Sequence, residues 1–130
     1  MSPETFEIFI PMKPVAKARA RITKKGFAYT PKKTALAEDE IRYWIFHARP
    51  KMFDKETALS LELEFYFIKP KSAPKKKAFP IVRPDCSNLA KTCEDAMNKL
   101  VYHDDCQIID LIVKKRYSDK QGINIICSAI

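Results

Sequence analysis

At 130 residues, with 46% hydrophobic and 31% charged side chains, the chain has the composition of one folded domain, and residues 1–130 are read as a single unit. A formal net charge of +8 and a pI near 9.4 point to an acidic partner, nucleic acid before an anionic membrane. No apolar run approaches the roughly 20 residues that span a bilayer, and Met1-Ser2-Pro3-Glu4 lacks the basic and apolar regions of a secretory leader, so a cytoplasmic protein is expected.

Thr5 to Ile10 alternates, with Phe6, Ile8 and Ile10 on one face, which predicts a half-buried first strand ended by Pro11 and Pro14. Residues 18–22 and 27–29 flank Lys24-Lys25-Gly26 and predict a hairpin with glycine in its turn. This hairpin and its approach carry Lys17, Arg19, Arg21, Lys24 and Lys25, interleaved with Phe27 and Tyr29. Alternation lets one face pack while the other offers cations to phosphates.

After Thr30-Pro31 a helix is expected over about 33–47, with Ala37, Ile41, Trp44 and Ile45 as its apolar stripe and Trp44 as a core anchor. Residues 58–68 form the clearest strand: Leu59, Leu61, Leu63, Phe65 and Phe67 face one way, Ser60, Glu62 and Glu64 the other. The next segment holds Lys69, Lys71, Lys75, Lys76 and Lys77 among prolines, which supports neither helix nor strand. It reads as a solvated loop and as a flexible arm for phosphates.

A second helix is expected over about 88–100, burying Leu89, Cys93, Ala96, Met97 and Leu100. Two strands, about 107–117 and 123–129, complete the chain. The order describes an α+β domain with two main helices on a mixed sheet, plus the basic hairpin. The four cysteines, Cys86, Cys93, Cys106 and Cys127, include no Cys-x-x-Cys pair and read as buried or semi-buried free thiols.

Against this basic background stands an acidic group around the second helix: Asp85, Asp95, Asp104 and Asp105, with Lys91 among them. Basic surface attracts a polyanion, whereas clustered carboxylates repel one unless a divalent cation lies between. Together they mark a metal-dependent enzyme acting on nucleic acid. Asn88, Lys91 and Asp95 share one helix face opposite the core stripe. If the chain doubles back after the helix, Asp85 and Asp105 share a Mg²⁺ ion, and Lys91 stabilises charge developing on the phosphate. Structural readings stand beside these: Asp85 as a turn residue after Pro84, Lys91 and Asp95 as an exposed ion pair, one of Asp104 and Asp105 as a polar loop residue. His103 reads as a loop histidine rather than a general base.

The run Arg83-Pro84-Asp85-Cys86-Ser87-Asn88-Leu89-x-Lys91-x-x-x-Asp95-Ala96-Met97, followed by Tyr102-x-Asp104-Asp105-x-Gln107-Ile108, resembles the RusA family of Holliday junction resolvases. That family's pattern is close to Pro-Asp-x-Asp-Asn-x-x-Lys-x-x-x-Asp-Ala-Leu and then Asp-Asp-x-Gln. Ile10-Pro11-Met12-Lys13-Pro14 with Lys17, Arg19 and Arg21 resembles its Pro-x-x-Lys-x-Arg-x-Arg opening, and Tyr29-Thr30-Pro31 its Tyr-Thr-Pro segment.

The resemblance implies a RusA-like fold and an endodeoxyribonuclease that resolves four-way junctions by paired symmetric nicks in recombination and repair. It implies Mg²⁺ as cofactor, with Mn²⁺ as a substitute, a homodimer, and a bacterial or phage setting. By position, Asp85 and Asp105 match acidic metal-binding residues, Lys91 the essential lysine, and Asn88 and Asp95 further motif positions. One position departs: Ser87 stands where the family has its second aspartate. A neutral hydroxyl is a poor metal ligand, and Ser87 suits the N-cap of the following helix. Asp104 or Asp95 then compensates, or the site cuts slowly, or the protein binds junctions without cutting. The phosphate backbone is assigned to Lys13, Lys17, Arg19, Arg21, Lys24 and Lys25, and to Lys69, Lys71, Lys75, Lys76 and Lys77.

Overall fold

In the computed structural model, which describes residues 4–130, the alternating segments become strands and the two periodic segments become helices; Met1, Ser2 and Pro3 of the leader reading lie outside the described residues. The elements run β1 (Thr5–Ile10), β2 (Arg21–Ile22), β3 (Ala28–Tyr29), α1 (Lys32–Ala48), β4 (Leu59–Phe67), α2 (Cys86–Met97), a 3₁₀ turn (Asp105–Gln107), β5 (Ile108–Tyr117) and β6 (Gly122–Ala129). Four strands form one mixed sheet in the order β1-β6-β4-β5, and β2 and β3 pair as a separate hairpin. The domain is α+β, as the element order predicts.

β4 is central because its alternation is complete: Leu59, Leu61, Leu63 and Phe65 are buried, while Ser60, Glu62, Glu64 and Tyr66 stay half-buried on the other face. Its parallel partner is β5, reached through α2, the long crossover that parallel strands require. β6 pairs antiparallel with β4 on one side and β1 on the other. Residues 118–121 therefore step over the end of β4, where the Ser118 N–H donates to the Phe67 carbonyl at 2.9 Å.

Both helices cover the apolar sheet face. α1 contributes Thr34, Ala37, Ile41 and Ile45, and α2 contributes Leu89, Ala90, Cys93, Ala96 and Met97 to one cluster with Ile10, Ile123, Ile125 and Cys127. Each fully buried large aliphatic side chain stabilises the fold by roughly 1.5–3 kcal/mol relative to exposure. On the opposite sheet face Lys114 pairs with Glu62 at 3.5 Å.

Several expectations are corrected. Trp44 is 36% exposed and lies edge-on to Tyr43, because the buried stripe of α1 runs through Thr34 rather than through Trp44. α2 begins at Cys86, not Asn88, and ends at Met97, not Leu100. Lys99 turns to φ 68 and its N–H donates to the Tyr102 carbonyl at 2.7 Å, so Leu100 lies beyond the helix and is half-buried. The carbonyls freed there are not left bare. Arg42 of α1 donates to Ala96 O at 2.8 Å and to Asn98 O at 3.1 Å, joining the two helices. Of the cysteines, Cys93 and Cys127 are buried and Cys86 half-buried, but Cys106 is exposed. Burial pushes the Cys93 thiol up, and that of Cys127 up to about 12, so both stay neutral.

Candidate active site

Residues 11–18 leave β1 as an irregular strap, since Pro11 and Pro14 cannot donate to a ladder. The Lys17 N–H donates to Asn88 O at 2.9 Å and the Ala18 N–H to Thr34 Oγ1 at 3.1 Å, which ties the strap to the first turns of both helices. Lys17 is thereby carried between them. Its ammonium pairs with Glu38 of α1, and with Asp95 of α2 at 3.1 Å.

Asp95 is shared. Its other oxygen lies 3.3 Å from Lys91, one helical turn earlier, and Lys91 lies 3.3 Å from Asp105. Five groups thus alternate in sign: Glu38, Lys17, Asp95, Lys91, Asp105. Burial works against the charge on Lys17, but hydrogen bonds to Glu38 and Asp95 outweigh it and hold the ammonium above the ordinary lysine value. For Lys91, desolvation is likewise overcome by Asp95 and Asp105, and the ammonium is held charged. Lys91 is a cation here and has no capacity to act as a general base near neutral pH. One turn from Lys91 on the same helix, desolvation raises the carboxyl of Glu94, with Lys91 opposing it.

Asp105 is placed by its neighbour Gln107, a buried polar side chain whose polar ends are both used. Its Oε1 accepts from His103 N at 2.9 Å and Asp104 N at 3.1 Å; its Nε2 donates to Asp54 O at 2.8 Å and Thr57 O at 3.1 Å. The turn bearing Asp105 is thus fastened to the loop before β4. Tyr102, fully buried, secures the same turn to α2 by donating to Glu94 O at 2.8 Å.

Asp85 stands at the N-cap of α2 with extended backbone (φ −75°, ψ 148°), and its side chain makes no cap bond. Exposed at a helix N-terminus, its carboxylate is favoured there by the helix dipole. The Arg83–Pro84 peptide before it is cis. Lys115 of β5 donates to Val82 O at 2.7 Å and Pro84 O at 2.9 Å, which fixes this approach from behind.

Two adjoining clefts, of about 570 and 220 Å³, share Lys13, Phe67, Arg83 and Pro84; the first also takes in Lys17 and Lys33, the second Lys115 and Tyr117. They form a cationic groove beside Asp85. Lys33 and Lys115 escaped the reading of the sequence, and Arg83 stood in the motif run without a role. For Lys115 the signal is parity: it shares the inward face of β5 with Val113 and Tyr117, a place where lysine needs a reason.

The structure therefore brings together Lys17, Lys91, Asp95 and Asp105, and leaves Asp85 outside that network. Asp104 is engaged elsewhere. Its carboxylate accepts from Cys106 N at 3.3 Å and caps the 3₁₀ turn, and that backbone bond lowers its pKa. Ser87 lies exposed in the first turn of α2 and does not cap it, because the helix starts one residue earlier. Asn88 is exposed there too, holding the strap through its carbonyl. Lys17, expected at phosphates, has its ammonium engaged by two carboxylates. Arg21, Lys24 and Lys25 are exposed on the hairpin, Arg19 is exposed just before it, and Lys71, Lys75 and Lys76 are exposed on the loop, where Lys69 reaches Lys75 O at 3.3 Å and lies over Tyr117. Lys77 is half-buried, and His103 takes part through its backbone alone.

Among the described residues no three His, Cys, Asp or Glu side chains converge as a ligand set. A divalent cation that retains several waters needs only one or two carboxylates, a demand that the exposed Asp85 and the half-buried Asp105 are chemically able to meet.

A basic groove beside carboxylates and a fixed lysine, on a small α+β sheet, defines a nuclease-like class of site. The chain belongs to the RusA family: the family model for endodeoxyribonuclease RusA matches residues 11–127. It is also similar to the uncharacterized protein YqaN of Bacillus subtilis (strain 168), at 35% identity over 77 residues, which is 52% of this chain and 54% of that protein. The chain matches about half the length of that curated relative. No helix among the described residues is long and apolar enough to cross a membrane.

Proposed function

We propose that this protein is a divalent-metal-dependent endodeoxyribonuclease that resolves Holliday junctions by paired, symmetric nicks in recombination and repair. The observation that carries this reading is the Lys91 ammonium held between Asp95 and Asp105 beside a cationic groove, in a chain of the RusA family. Lys13, Lys33 and Arg83 of the groove and the exposed hairpin hold the phosphate backbone and position it without reading sequence. Asp85 and Asp105 would hold Mg²⁺, or Mn²⁺ in its place. Such a cation supplies an activated water and neutralises charge on the phosphate. Lys91 donates to a non-bridging phosphate oxygen as negative charge grows there. A homodimer presents two equivalent sites to two matching strands of the junction.

One observation favours a second reading, a junction-binding protein that cuts slowly or not at all. Ser87 is neutral, and Asp104 is committed to its cap, so neither supplies the missing carboxylate. Incubation of a synthetic four-way junction and an equal-length duplex with Mg²⁺, Mn²⁺ or chelator separates the readings. Symmetric nicks in the junction alone, lost with chelator, support the nuclease. Tight junction binding without nicks in either metal supports the binder, and Ser87→Asp should then restore cleavage. No preference for the junction refutes both.

A further inference from the structure

Lys17 has the sequence context of a DNA-gripping cation but not the geometry of one. Its backbone is bonded to Asn88, its ammonium is enclosed by Glu38 and Asp95, and three-quarters of its side chain is shielded from solvent. The Asp95 oxygens are divided: Oδ2 goes to Lys17 and Oδ1 to Lys91. Lys91 is by contrast about half exposed.

We propose that Glu38 and Lys17 form a positioning pair that satisfies one oxygen of Asp95, so that Asp95 steadies Lys91 without capturing it and Lys91 stays free to turn toward the reacting phosphate. The argument rests on charge. An unopposed Asp95 carboxylate one turn from Lys91 would hold it as a closed ion pair. Lys17 opposes that carboxylate locally at Oδ2, and the pair with Glu38 does so without changing the net charge of the site. Glu38 in turn holds Lys17 in place, because a lysine stem has four rotatable bonds and a second anchor restricts it. Glu38 lies on α1, far in sequence from the acidic motif, and pairs with neither Lys91 nor Asp105. Neither Glu38 nor Lys17 is a catalytic residue in this scheme; both act through Asp95.

This inference rests on the nuclease reading for its kinetic arm but not for its binding arm. The first experiment is the salt dependence of four-way-junction binding in chelator, for wild type, Lys17→Met, Glu38→Gln and Arg19→Ala. A lysine that contacts phosphate contributes a slope of roughly 0.9 in log K against log salt. Lys17→Met should leave the slope unchanged, whereas Arg19→Ala should reduce it. A reduced slope for Lys17→Met overturns the proposal, because Lys17 would then be a phosphate contact. This arm requires no cleavage, so it decides even if the wild type proves inert and the nuclease reading falls.

In the kinetic arm, single-turnover cleavage at saturating protein should fall for Lys17→Met, on the order of 10²-fold for a misplaced catalytic group. Lys17→Arg, which can still span Glu38 and Asp95, should restore most of it. Glu38→Gln should also lower the rate, and the double variant should be no worse than Lys17→Met alone, since Glu38 acts only through Lys17. Additive losses, or no rescue by arginine in a folded protein, overturn the proposal.

Discussion

Replacing Gln107 by leucine tests whether the turn bearing Asp105 is held by one side chain. Four bonds disappear, at 2.9, 3.1, 2.8 and 3.1 Å, and the backbone groups left behind belong to His103, Asp104, Asp54 and Thr57. At about 0.5–1.5 kcal/mol net each, the loss is bounded near 6 kcal/mol. Asp54 and Asp104 are exposed, so water recovers part of it. The expected cost is roughly 3 kcal/mol, or a fall in Tm of about 10 °C for a domain of this size. Thermal unfolding followed by circular dichroism measures it. Gln107→Glu is the informative partner: it keeps the acceptor for the two N–H groups but turns a carboxylate toward two carbonyls. It should be at least as damaging at neutral pH and should recover on acidification, when the protonated acid can donate. A leucine variant that melts within about 2 °C of wild type, with junction cleavage intact, would refute the idea that Gln107 fastens the site.

Arg42→Ala should cost about 1.5–3 kcal/mol, since a charged donor is removed from two carbonyls at the end of α2, and chemical denaturation reads this directly. Glu94 provides a pH test. Its folded value is raised above the ordinary 4.5, chiefly by desolvation, so its contribution to stability is complete below 4.5 and is lost as pH rises through the raised value. Glu94→Gln should therefore match wild type near pH 4 and exceed it in Tm near pH 7; an advantage that shrinks toward neutrality contradicts this sign. Changing Lys71, Lys75 and Lys76 to glutamine should weaken junction and duplex binding alike and lower the salt slope by roughly 0.9 for each phosphate no longer neutralised. An unchanged slope would show that the loop does not touch DNA.

Alternation and helical spacing were legible because they depend on local sequence. The β4 pattern, Leu59 to Phe67, states its own buried face, and the acidic motif announced its chemistry by gathering carboxylates in a basic chain. What remained hidden was decided by distant partners. Trp44 fits an apolar stripe, yet α1 rotates to bury Thr34, whose hydroxyl receives the strap at Ala18. Lys17 looked free because nothing in its own segment reveals Glu38 or Asp95. Composition alone does not separate Asp104 from Asp105; the family motif favours Asp105, and the fold spends Asp104 on capping the turn. Arg83 and Lys115 gain meaning from the groove they share with Lys13 and Phe67.

β1 lies against β6 from Thr5 opposite Ser128 to Ile10 opposite Ile123, with Ala129 N–H reaching back to Glu4 O at 2.9 Å. Among the described strands, the first in the chain is thus zipped by the last. At roughly 5–20 residues per second of synthesis, β1 waits on the order of 6–25 seconds with Phe6, Ile8 and Ile10 unpaired. The sheet can close on β1 only once β6 has been made. Sequence-distant pairing of this kind slows folding, and it leaves nascent chains open to strand-to-strand association at a stage when the finished molecule has no such edge at β1's inner side.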